Sequence, residues 1–305
     1  LDKGDHWQSL QINLPDTPIR DLVVKDSDVV LGSPGRGFWI LDDIEPLRQL
    51  SESVYSKHLT VFTPDQPAIR GLSNAAIQYF LGEEAGKVTV EILDSKGHIV
   101  DTFEGTEPSF DQQPDFSFFR QPRSTTPTTA AGLNRFEWNQ RYQGATEFEG
   151  MIIWSGSPQV GPKAPPGKYQ ATITANEISE TVNFEIRMDP KLKGITQADL
   201  QEQFDLASQI RDKTSAANNA VIEIRDIRDQ LEELLEGSAD PELQTTGRDF
   251  IEEISDIEQD LYQVKNQSNQ DPLNFAIKLN NRLASLRRSV ETGDAKPTEG
   301  AYQVF

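Results

Sequence analysis

The sequence predicts a multidomain chain that is β first and α afterwards: a small terminal sheet, a β-sandwich and an antiparallel helical bundle. Three observations predict it. Short apolar, β-branched runs bounded by Gly, Pro, Asn and Asp fill the chain to about residue 190. From Thr196 onward the apolar residues recur at spacings of three and four instead. A length of 305 residues with 36% hydrophobic content is enough for two or three separate cores.

The terminal sheet spans 1–50. "WQSL" is read as a first strand and the run from Ile19 to Val24 as a second. Asp26-Ser27-Asp28 turns the chain, and Val29-Val30-Leu31 returns it. Gly32-Ser33-Pro34-Gly35-Arg36-Gly37 supplies glycines for a second turn, and Phe38-Trp39-Ile40-Leu41 is the last strand before Asp42-Asp43. Four short strands on tight turns are the content of one propeller blade. A lone blade exposes both faces and open strand edges, so the expectation is that something covers it: upstream blades of the same protein, another molecule such as a second copy of the chain, or the sandwich.

A linker at 51–58 leads to a sandwich at 59–190. "AIQYFL" and "KVTVEIL" cluster or alternate apolar residues, Asp94-Ser95-Lys96-Gly97 is a hairpin turn, and His98 to Phe103 runs back. "GLNRFEWN", "GMIIW", "PPGKYQATITA" and "ETVNFEIRM" follow. Short strands with turn signals between them read as an immunoglobulin-like or fibronectin-like sandwich. The Pro-, Gln-, Ser- and Thr-rich stretch 108–131 is read as a long loop.

The helices occupy 191–295. Thr196 with Asp199 three positions on resembles a capping box. Apolar or small residues from Phe204 to Leu235 mark one face of a helix of about 40 residues, closed by Gly237-Ser238. Leu243, Gly247, Phe250, Ile254, Ile257, Leu261 and Val264 keep heptad spacing, as an internal seam or as a seam for a partner. A third helix is expected to start at Asp271-Pro272 and run to Val290, antiparallel to its neighbours. Lys296-Pro297 breaks the pattern, and 296–305 reads as the start of a further helix, cut at Phe305.

Two resemblances rest on these residues. "DKGDHW" is similar to the tail of an Asp box, with Asp2, Gly4 and Trp7 at its motif positions. With "VVLGSPGRGFWILDDI" after it, the opening resembles the last blade of bacterial Asp-box (BNR repeat), sortilin-like propeller proteins, often named glycosyl hydrolases. "NRFEWN" followed by "APPGKYQATITANEISETVNFEI" resembles the immunoglobulin-like fold of flagellar hook-capping proteins. The first resemblance implies an exported, secreted or periplasmic bacterial protein whose native chain extends several hundred residues before Leu1. It also implies a structural role for Asp2, Gly4 and Trp7, far from any catalytic centre.

Composition limits the chemistry. The 49 acidic against 29 basic residues give a net charge of −20, which repels nucleic acid and anionic membranes. The absence of cysteine removes disulfides, thiolate nucleophiles and Cys-ligated zinc. No apolar run reaches the ~18 residues of a membrane span, and Leu1-Asp2-Lys3-Gly4 has no signal-peptide character. His6, His58 and His98 lie far apart, so no metal site is expected. "GSPGRG" between two strands is a turn and not a phosphate loop, and "WSGSPQ" lacks a nucleophile elbow, so no cofactor and no catalytic residue are assigned.

Trp154 and Tyr142, both in loop-like surroundings, are the candidates for contact with a glycan or protein, with core packing as the other reading. The functional expectation is a non-catalytic accessory or scaffolding region that mediates interdomain or partner contacts. The alternative is part of a glycoside hydrolase or peptide-processing enzyme whose catalytic residues lie in upstream blades.

Overall fold

A computed structural model describes residues 5, 7, 9, 10, 14–107 and 124–305. Asp2, Gly4 and His6 lie outside the described residues, as does 108–123 of the expected loop. The architecture is mixed β and α, and no helix is long and apolar enough to cross a membrane among the described residues. The chain divides into two compact units, Leu1–Asn139 with Gly167–Arg187, and Gln140–Pro166 with Met188–Phe305.

The first unit opens with an antiparallel sheet, β1 (Asp21–Lys25), β2 (Asp28–Ser33) and β3 (Gly37–Leu41), in that order. Three strands are described where four are expected, because Trp7, Ser9 and Leu10 belong to none. Asp26 turns β1 into β2 with φ 55°, and Gly35 and Gly37 take φ 81° and 74° in the next turn. Two short helices follow, α1 (Glu45–Gln49) and α2 (Glu52–Tyr55).

Two further sheets then share one core. A three-stranded sheet orders β4 (Leu59–Val61), β6 (Ala75–Leu81) and β9 (Gly132–Trp138). A five-stranded sheet orders β5 (Ala68–Ile69), β13 (Ile178–Arg187), β12 (Gly167–Ala175), β7 (Val88–Leu93) and β8 (Ile99–Gly105). All pairs are antiparallel except β5 with β13. Burial alternates residue by residue along β7, β9 and β12, as expected for strands with one face inward. Trp138 of β9 is fully buried, its ring 5.5 Å from Tyr169 of β12 and 6.0 Å from Phe184 of β13. Phe103 of β8 meets Phe136 of β9 at 4.9 Å, so aromatic contacts join the two sheets across the core.

The end of the expected loop is anchored in that core. The Tyr79 hydroxyl donates to the Thr128 carbonyl at 2.6 Å and accepts from the Thr128 amide at 3.0 Å. Burial raises the Tyr79 phenol well above its usual range, with the Thr128 hydrogen bond opposing.

The second unit is built on α3 (Gln197–Glu236), 40 residues and about 60 Å long. Its start is a complete capping box: the Thr196 side chain accepts from the Asp199 amide, and the Asp199 carboxylate accepts from the Thr196 amide at 2.8 Å. α4 (Pro241–Leu261) is capped by Asp240 and returns antiparallel, with Leu235 against Gly247 and Arg225 against Glu258.

α5 covers Leu279–Val290, and α6 covers Glu299–Val304. The third helix therefore starts later than its apolar spacing predicts. Asp271-Pro272-Leu273 forms one 3-10 turn, and the Asp271 carboxylate accepts from the Gln267 and Ser268 amides behind it instead of capping forward. α5 runs antiparallel to α3, with Asn280 near Asn218 and the Val290 carbonyl near Gln203. Thus α4 pairs with the C-terminal half of α3 and α5 with its N-terminal half, so the two follow one another along one long helix. Leu206, Ala207, Ile210 and Val290 form the core there.

Residues 140–166, which strand alternation places inside the sandwich, group with these helices. They contain β10 (Arg141–Gln143) paired with β11 (Val160–Lys163).

Candidate functional site: a sheet apolar on both faces

The register of β1, β2 and β3 sorts their side chains. Leu22, Leu31 and Trp39 stand in one row, and Val24, Val29 and Leu41 in the next, all on one face. Val23, Val30 and Ile40 form a row on the other face, with Phe38 beside them. A two-layer fold would give one apolar and one polar face; here both are apolar. Neither is fully covered by the described residues: Phe38 is 82% exposed and Leu22, Val23, Val24 and Ile40 are each more than half exposed, while Val29, Val30, Leu31, Trp39 and Leu41 are half-buried.

The base of the sheet is firmly held. Ser27 is buried, its carbonyl accepting from the Ile44 amide at 2.7 Å. Arg48 donates to the Asp26 carbonyl at 3.0 Å. The Asp43 amide donates to Asp28 Oδ1 at 2.9 Å, and Gln78 of β6 donates to Asp43 Oδ2 at 2.7 Å. The sheet is thus rooted at its base, with apolar side chains on both sides.

The remaining sequence candidates fall in different places. Trp7 is 88% exposed and Trp39 donates its indole N–H to the Arg36 carbonyl. Tyr142 is half-buried with its ring 4.6 Å from Phe204, which makes it part of the packing of the second unit. Trp154 is 48% exposed, and its amide donates to Asn281 Oδ1 at 2.9 Å. Tyr142 and Trp154 thus meet different partners, Phe204 and Asn281.

Among the described residues, no group of three or more His, Asp or Glu is placed to hold a metal ion. His58 faces Glu83 at 3.3 Å and His98 faces Asp94 at 3.2 Å, all on the surface. Slight burial raises the Asp94 carboxyl, but the combined hydrogen bonds from His98 and Lys96 outweigh it and hold the group below its usual value.

Sequence reasoning misses two buried ionic clusters, both in the second unit. Glu291, nearly enclosed, accepts from the Lys163 amide at 2.6 Å, from Arg141 at 3.0 Å and from Arg287. Arg287 also donates to the Ser157 carbonyl at 3.0 Å, and Lys163 pairs with Asp294 at 3.0 Å. Burial pushes the Arg287 guanidinium below the usual arginine range, and Glu291 opposes that shift. These bonds hold 140–166 in place, together with Asn218 on the Thr146 carbonyl and Asn281 on the Ser155 carbonyl. In the second cluster, buried Glu258 accepts from Arg225 at 2.7 Å and Arg228 at 3.1 Å. The Arg225 guanidinium lies 4.7 Å from the Phe148 ring centre. A cavity of about 360 Å³ adjoins this cluster. With Glu258 already facing both guanidiniums, the cluster reads as a structural clamp.

No family model matches the chain, and no curated protein matches it. Solved structures give faint likenesses. CopC from Methylosinus trichosporium OB3b is 12% identical with a TM-score of 0.24, covering 45% of this chain and 100% of that one. A chain from the structure on T cell specificity and activation by the bacterial superantigen toxic shock syndrome toxin-1 is 8% identical with a TM-score of 0.25, covering 43% of this chain and 98% of that one. Similarity this low carries no argument about the chain.

Proposed function

We propose that the chain is a non-catalytic accessory and scaffolding region of an exported Asp-box propeller protein, working through interdomain or partner contacts with protein or glycan. In this reading β1–β3 is a terminal blade seated against neighbouring blades, and the two larger sheets form an immunoglobulin-like support. The observation that carries it is the sheet with two apolar, exposed faces, because a propeller blade needs apolar surface on both sides to pack between others. The strand order of the larger sheets supports the immunoglobulin-like part: hairpin neighbours β7–β8 and β12–β13 share a sheet, while β6 and β9 cross to the other.

Hydrogen exchange on this chain and on the full native polypeptide tests the reading. Peptides covering 21–41 should exchange rapidly in the chain alone and at least about tenfold more slowly when native neighbours are present. Equal exchange in both contexts, or turnover of chromogenic glycosides by this chain alone, would defeat it.

A further inference from the structure

The α3–α4 hairpin carries a second apolar surface, independent of the sheet. Along α4, Gly247 and Ile254 are buried against α3, while Leu243, Phe250 and Ile257 stand outside at 37%, 44% and 54% exposure. The two rows are three residues apart, which places them about 60° from one another around the helix. Val264, next in the heptad count, lies past the end of α4 and lines the cavity beside Arg225.

The long helix extends this strip. Arg225 lies 5.5 Å from the ring of Tyr262, on the side of α4 away from Phe250. Ile227, Leu231 and Leu234 follow one another at spacings of four and three on the opposite flank of α3, where Leu234 is 53% exposed. Two converging rows of apolar side chains, about 20 Å long on α4 and about 10 Å on α3, make a shallow groove.

The spacing selects the kind of occupant. Leu243, Phe250 and Ile257 recur every seven residues, and Ile227, Leu231 and Leu234 at four and three, so both rows keep a heptad period that a helix can match with its own seam, whereas a strand, with period two, falls out of step. The rims select its charge. Asp249, Glu253 and Asp256 are exposed along α4, where Arg248 is the sole base, and Glu223 is exposed on α3. A second copy of the chain would set these acidic rims against each other, which disfavours self-pairing. We infer that the groove receives a basic amphipathic helix from another polypeptide, with an apolar heptad seam and Lys or Arg on the flanking positions.

A fluorescent peptide of three heptads, about 21 residues with Leu at a and d and Lys at e and g, probes this by anisotropy against the intact chain. Saturable binding is expected, and it should weaken at least tenfold, about 1.4 kcal/mol, in the Phe250→Glu/Ile257→Glu variant. Both positions face solvent, and circular dichroism of the variant confirms that the helices remain. A scrambled peptide of the same composition should bind both proteins equally weakly. Undiminished binding to the variant, equal binding of the scrambled peptide, or self-association of the chain that the variant abolishes would each overturn the assignment.

Discussion

Glu291 is a buried acid at the centre of one ionic cluster of the second unit, and its removal has a calculable cost. Its side chain is 5% exposed and faces two guanidiniums, Arg287 at 5% and Arg141 at 16%. Replacing it with Ala leaves both cations and the Lys163 amide without that acceptor, and opening a buried pair from one side costs about 3–5 kcal/mol. Solvent screening discounts this little at such burial. With a urea slope of roughly 2 kcal/mol per molar, a loss of about 4 kcal/mol lowers the midpoint by about 2 M. The assay is urea denaturation followed by helical circular dichroism, with hydrogen exchange resolved by peptide. Peptides covering 141–163 should lose protection in Glu291→Ala while those covering 75–105 keep it. The double variant Arg287→Met/Glu291→Leu should recover part of the loss, since an apolar pair leaves one buried cation fewer unmatched. A midpoint shift below about 0.5 M with unchanged exchange at 141–163 would refute the reasoning.

Other perturbations separate the remaining claims. Trp138→Ala should cost about 3–5 kcal/mol in thermal or chemical unfolding of the first unit, because the ring is fully enclosed between Tyr169 and Phe184. Gly105→Ala should destabilise the same unit by about 1–3 kcal/mol or more, since its Cβ would fall 1.7 Å from the Pro127 carbonyl oxygen; a neutral effect would mean that the backbone there yields. Phe38→Ser, on an 82% exposed ring, should change stability by less than about 0.5 kcal/mol, and a larger loss would show that the face is already covered. Hydrogen bonds from the Thr196 hydroxyl and amide hold the Asp199 carboxyl below its ordinary 3.8. A depressed carboxyl contributes stability above pH 3.8 and loses it as the pH falls through the folded value. Thr196→Ala should move the Asp199 titration, read by NMR, up toward 3.8.

The features readable in the sequence are those set by neighbours in the chain. Thr196 and Asp199 predict a helix start because capping bonds span three residues, and the apolar spacing that follows gives a helix of the observed length. Alternation in "KVTVEIL" and "YQATITA" likewise predicts strands with one buried face. What the sequence hides is decided across long separations. Residues 140–166 carry strand-like character, yet Arg141 and Lys163 find their acidic partner at Glu291, some 130–150 positions away. Asn280 and Asn281 look like poor helix formers, but both are buried and hydrogen-bonded, Asn280 to Asn218. Asp271 has the sequence look of a forward cap, and only geometry shows that its carboxylate faces backward. For the interaction surface, the apolar strands are plain in the sequence, whereas exposure on both of their faces emerges only from the pairing register.

The chain passes from the first unit to the second and back before it finally enters the long helix, so three peptide junctions join the two bodies. Modular dissection at any single point therefore fails. A truncation ending near residue 190 retains every strand of the larger sheets but leaves Arg141 and Lys163 stranded without Glu291. One beginning there strips the helices of the segment that satisfies Asn218 and Arg287. Clean separation of the halves demands grafting 140–166 onto the helical piece and bridging Asn139 to Gly167 with a short linker. Deletion libraries that ignore this interleaving would cut through both units at once.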